Sequence, residues 1–204
     1  MSVSETSICN SALIKVGSKQ LITSLTQGTP NATLCGEQYP KIRDELLRSH
    51  IWNFASLWKE LETTGTTPTA AYDYEFQLPT DLIRVIHVAN NDRGSGTIPY
   101  DLYNDKLYCD SNQVFLKYIS KVTDPNLFPA DFREALASAL AYDISYAMTD
   151  SNSVRDSLEK QARRSLSRAK TADAQENYPE RMPEGSWVTS RPAYGSVAWN
   201  TGST

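Results

Sequence analysis

Few side chains in this sequence are placed to do chemistry. His50 and His87 are its only histidines. They lie in different parts of the chain, and neither has the partners that a metal centre or a catalytic dyad would require. Both are read as structural. Cys9, Cys35 and Cys109 are odd in number and widely spaced, so neither a disulfide framework nor a zinc site follows. They are expected to be buried free thiols in a reducing compartment. Gly94-Ser95-Gly96 lacks the third glycine and the strand-to-helix setting of a dinucleotide fingerprint and is read as a turn. Asp44 with Glu45, or Glu60 with Glu62, would supply an acid/base pair for glycoside cleavage. Adjacent helical residues do not face each other, so solvated acids are the simpler reading. No catalytic residue, cofactor or metal is expected.

The strongest charge pattern is Lys160, Arg164 and Arg168, an i, i+4, i+8 stripe about 12 Å long at 1.5 Å per residue. One reading is contact with an acidic partner surface or with DNA phosphate. The other is a solvated face in the helix's C-terminal half, supported by Asp156–Lys160 and Glu159–Arg163 pairs.

These groups must be carried by helices at both ends and strands between. The first helix is predicted over about Ser4 to Val16, with Ser2 and Glu5 at capping-box spacing, Ser4 as an alternative cap, and Gly17 after its end. The second starts at Thr29-Pro30, tolerates Pro40 four residues after Gly36, and is expected to end near Trp52 to Trp58. Tyr72 to Leu78 alternates like a half-buried strand, and Leu82–Val88 is a β-branched run. Lys106–Cys109 and Val114–Ile119 read as a hairpin around Asp110-Ser111-Asn112. Two helices follow, about Ala130 to Met148 and Ser153 to Glu176, joined tightly enough to be antiparallel neighbours. The fold class is α+β: an antiparallel helical bundle (1–60 and 126–177) with an inserted small antiparallel β module (61–125) and an extended C-terminal tail (178–204).

That tail has no helical or strand period, three prolines, and the aromatics Tyr178, Trp187, Tyr194 and Trp199. A solvated linker would hold few aromatics. Extended, it would reach about 90 Å at roughly 3.3 Å per residue. Burying four aromatics returns about 15–25 kcal/mol, against an ordering cost of about 27 kcal/mol or more. The tail is therefore expected to order on a partner, through main-chain pairing as well as its rings.

Composition is ordinary for a globular protein, 40% hydrophobic and 22% charged. A net charge of −4 and a pI near 5.2 argue against a dedicated nucleic-acid binder. No apolar run reaches the roughly 20 residues of a membrane span, and the acidic N-terminus does not read as a secretion signal.

Ser11-Ala12-Leu13-Ile14-Lys15-Val16-Gly17, Tyr39, Arg43-Asp44-Glu45-Leu46-Leu47 and Trp52-Asn53-Phe54-Ala55 together resemble the head-to-tail adaptors (tail tubular protein A) of short-tailed phages. Phe76 to Val85 is similar to that family's β module, and Phe128-Pro129 with Phe132 to Ala137 to its third helix. Tyr178-Pro179, Arg181-Met182-Pro183 and Gly185-Ser186 resemble the C-terminal segment of the smaller adaptors of Salmonella-type short-tailed phages, which lack most of the β module.

The resemblance implies a structural, non-enzymatic virion protein, assembled in the host cytoplasm into the tail. It would form a dodecameric ring between the portal protein and the tail nozzle protein, with DNA passing non-specifically through its lumen. Portal attachment would fall to Tyr178, Pro179, Arg181, Met182, Pro183, Trp187, Arg191, Tyr194 and Trp199, with Lys160, Arg164 and Arg168 as a further interface. A tail-associated peptidoglycan hydrolase is the alternative. A cytoplasmic DNA-binding regulator using the Lys160 stripe is a third reading.

Overall fold

The structure, a computed structural model, describes residues 3–66, 68, 72–92, 94 and 96–176. The described residues form four helices and two small antiparallel three-stranded sheets, a mixed α+β fold. Helix α1 spans Glu5–Val16 and α2 spans Pro30–Arg48. Strands β1 (Ser56–Leu61), β2 (Tyr74–Gln77), β3 (Leu82–Ala89), β4 (Asp101–Tyr103), β5 (Lys106–Cys109) and β6 (Val114–Ser120) follow, and α3 (Ala130–Thr149) and α4 (Asn152–Glu176) complete the described chain. No helix among the described residues is long and apolar enough to cross a membrane.

The helix ends are set by short polar side chains. Ser4 caps α1: its Oγ accepts from Ser7 N at 3.1 Å, and Ser7 Oγ accepts from Ser4 N at 3.2 Å. The reciprocal pair among the described residues is thus Ser4 with Ser7; Ser2 of the expected pair lies outside them. Gly17, at φ 91°, closes the helix with its N–H on Ile14 O, and Ser18 N reaches back to Leu13 O at 2.9 Å. Thr29 caps α2 through Ala32 N, and the helix runs through Pro40.

Helix α2 stops at Arg48, short of the expected Trp52 to Trp58. Trp52 Nε1 donates at 2.8 Å to the Leu46 carbonyl, which also accepts from Ser49 N and Ser49 Oγ at the helix end. A single 3₁₀ turn over Asn53–Ala55 then leads into β1. Arg48 Nη1 donates to Ile83 O at 2.8 Å, and so ties the end of α2 to β3.

The first sheet has the order β1-β6-β3 and the second β2-β5-β4. The expected hairpin between Lys106–Cys109 and Val114–Ile119 does not exist, because β5 and β6 belong to different sheets. The tight hairpin is β4–β5. Asn104 (φ 47°) and Asp105 (φ 61°) both adopt the left-handed conformation that a two-residue connection demands. The β2 strand is also shorter than the predicted alternation, and Glu75, expected on its polar side, is buried.

Two apolar clusters result. The larger joins all four helices to Trp52, Ala55, Phe128 and Ile119. Its centre is a ring cluster in which Phe132 meets Trp52 at 5.0 Å, Phe54 at 4.9 Å and Phe128 at 5.0 Å between centroids. The smaller draws Leu61, Val88, Val114, Leu116 and Tyr118 from the first sheet and Phe76, Leu107 and Cys109 from the second. Strand β6 serves both, sending Leu116 and Tyr118 to one cluster and Ile119 to the other, as a two-residue side-chain period requires. Helix α3 packs against α1, α2 and α4. Asp150, at φ 49°, turns the chain between α3 and α4.

Candidate functional site

The three cations of the predicted stripe lie together on α4. Lys160, Arg164 and Arg168 are exposed and line a groove of about 390 Å³ with Gln161, Ser165 and Glu134 of α3. Among the described residues none of the three has an ion-pair or hydrogen-bond partner. The expected Glu159–Arg163 pair forms, with Glu159 Oε1 accepting from Arg163 Nη2 at 2.6 Å, whereas the expected Asp156–Lys160 pair does not. Glu134, the one acid in the groove, is already engaged by Lys15 of α1. The groove therefore presents uncompensated positive charge.

The proposed anchors Tyr178, Pro179, Arg181, Met182, Pro183, Trp187, Arg191, Tyr194 and Trp199 lie outside the described residues. Their point of departure is defined. Asp173, in the last turns of α4, accepts from Asn53 N at 2.9 Å through Oδ1, and its carbonyl accepts from Asn53 Nδ2 at 2.7 Å. His50 Nε2 lies 3.3 Å from Asp173 Oδ2, and Lys170 Nζ donates to Ser49 O at 3.2 Å. This clip fastens the end of α4 to the segment between α2 and β1. It joins residues 120 positions apart, so sequence spacing gave no hint of it.

Both histidines serve structure. Beside its contact with Asp173, His50 packs edge-on against Trp52 at 4.8 Å. His87 Nε2 donates to the Gly94 carbonyl at 3.0 Å and its ring meets Trp58. Gly94 is at φ +71°, and a Cβ there would come within 2.8 Å of the Trp58 ring, so the turn needs glycine for two separate reasons.

The candidate acids either have other partners or face solvent. Asp44 is held by Arg43 at 2.8 Å and Lys121 at 2.8 Å, while Glu45 is exposed. Glu60 accepts from Gln113 Nε2 at 2.8 Å. The three cysteines are buried and free. Burial raises the Cys109 thiol. Cys9 and Cys35 interact with each other, which raises Cys9 and lowers Cys35.

The most perturbed carboxylate, missed from the sequence, is Glu75. Lys106 Nζ at 2.7 Å and the hydroxyls of Thr64 and Thr66 at 2.6 and 2.7 Å all donate to its Oε1, and together they hold its pKa down at about 2. Every donor stabilises the charged form. It is a tie between the second sheet and the Thr63–Thr66 loop that is ionised at neutral pH and unsuited to proton transfer there.

No protein-family model matches the chain, and no curated protein is significantly similar to it in sequence. What the described residues define is an α+β protein with one uncompensated cationic groove.

Proposed function

We propose that the chain is a structural, non-enzymatic virion protein: the head-to-tail adaptor of a short-tailed phage, forming a ring that joins the portal to the tail nozzle and lines the DNA ejection channel. In this reading 1–60 and 126–177 make a helical-bundle ring body, 61–125 an inserted β module, and 178–204 an extended strap onto the portal. The observation that carries the reading is where the family-like segments meet. Leu13 and Val16, Tyr39, Leu46 and Leu47, Trp52 and Ala55, and Phe128, Phe132 and Leu136 are separated in sequence, yet all belong to one buried cluster. Residues that share a resemblance and also share a core form one structural unit, which is what a ring-forming body requires.

The α4 clip adds support, because it starts residues 177–204 from a rigid point. Mixing the purified full chain with a short-tailed phage portal should give a complex whose mass corresponds to a ring on the portal. A chain lacking 178–204 should keep its circular dichroism and melting profile but lose portal binding. Unchanged portal affinity in the truncated chain would refute the strap.

A further inference from the structure

We infer that the cationic groove of α4 is one half of a head-to-tail contact between copies of this chain, its other half being the acid-rich second sheet of a neighbouring copy. Charge is unevenly distributed along the sequence. Helix α4 carries six basic and four acidic side chains, whereas residues 72–78 and 98–112, which hold the second sheet, carry five acidic and one basic. That single base, Lys106, is bound to Glu75. Asp73, Asp105 and Asp110 are exposed on this sheet and have no basic partner among the described residues. Among the described residues Asp101 accepts from tyrosine hydroxyls, Tyr72 at 3.0 Å and Tyr103 at 3.5 Å.

Helix α4 makes its main packing contacts with α3 and α1, and the second sheet packs against the first through Phe76, Leu107 and Cys109. The two patches thus leave each other free within one chain. Lys160, Arg164 and Arg168 lie in a row about 12 Å long at 1.5 Å per residue. Asp101 accepts from Tyr103, which is 60% exposed on β4, and a guanidinium both pairs with carboxylates and stacks on aromatic faces.

A duplex is the less suitable occupant. The chain is net negative, and Glu134 lines the groove itself. Contact between two unlike surfaces is heterologous, and such a contact closes into a ring when its rotation permits. The inference supplies the subunit interface of the adaptor reading and rests on it for ring closure.

The test is sedimentation of the full chain, alone and with portal, at low salt and at about 1 M salt, where the Debye length is roughly 3 Å. Wild type should self-associate at low salt and weaken at high salt. Lys160→Glu/Arg164→Glu/Arg168→Glu should weaken association at least tenfold, and Asp73→Lys/Asp110→Lys should do the same, with melting profiles intact. An equimolar mixture of the two variants should assemble again, because each reversed patch meets its complement.

Unchanged association in either variant, or failure of the mixture to recover, overturns the interface. If both variants still form rings on portal, the interface falls and the adaptor reading stands. If wild type stays monomeric with and without portal, both fall. A fluorescent duplex retained by wild type and lost from the stripe variant, with self-association unaltered, reassigns the groove to nucleic acid and overturns the proposal.

Discussion

Phe132 and Glu75 sit at the centres of two differently built regions. Around Phe132, four aromatic rings and the buried faces of four helices interlock. Around Glu75, three strands of three or four residues are held by one carboxylate, a lysine, two hydroxyls and a tight turn. The first region draws its stability from area removed from water and from close packing. The second shares an apolar cluster with the first sheet through Phe76, Leu107 and Cys109 and adds to it a few oriented polar contacts. Apolar packing is indifferent to pH, and a polar node is not. The two regions should therefore fail under different conditions.

The largest effect belongs to the first region. Phe132→Ala removes a ring that is 1% exposed and touches three other aromatics. Such truncations cost about 3–5 kcal/mol. The urea midpoint should fall accordingly, with the helical and sheet signals lost together because Ile119 of β6 shares that core. A loss below about 1 kcal/mol, at the level of a surface change, would mean the cluster is not the stabilising centre.

The second region should respond to acid. Glu75 titrates at about 2 in the folded protein, against an ordinary 4.5. A folded-state pKa below the unfolded one means that its stabilisation is complete above pH 4.5 and is lost as the pH falls from 4.5 toward 2. Glu75→Gln should lower Tm by several degrees at pH 7. That difference should shrink steadily through this acid window and vanish near its lower end. A difference independent of pH would show that the node acts through shape and not through charge.

The same contrast explains what was legible in the sequence. Helix ends were readable because their signals are local: Ser4, Thr29-Pro30 and Gly17 each act within a few residues. The α4 stripe was readable for the same reason, being a spacing on one helix. Strand β1 was not. Ser56–Leu61 has its Leu57 and Trp58 on opposite faces and both near half-exposed, so no period announces it. Pairing with β6 alone makes it a strand. The partition of β5 and β6 between two sheets was equally invisible, since Asp110-Ser111-Asn112 has the composition of a hairpin turn while the strands it separates pair elsewhere. For the candidate site, sequence identified the cations. It did not show that Glu134 closes one side of their groove, or that Asp173 anchors the end of the helix from a partner 120 residues away.

The smallest expected effect separates backbone from side chain within the second region. Asp105 stands at φ 61° in the β4–β5 turn, a conformation that glycine adopts without strain. Its carbonyl accepts from Leu78 N at 3.0 Å and from Gln77 Nε2 at 3.1 Å, and these main-chain contacts survive any substitution that keeps the turn. Its carboxylate has no partner among the described residues. Asp105→Gly should therefore change stability by no more than about 0.5 kcal/mol, with the relief of left-handed strain offset by the freedom glycine adds to the unfolded chain. Self-association at low salt should weaken slightly, because one of the sheet's acids is gone while the turn remains. A loss of stability above about 1 kcal/mol would place Asp105's side chain in the fold and remove it from the docking face. A neutral fold with unaltered association would confine the acidic half of the contact to Asp73, Asp101 and Asp110.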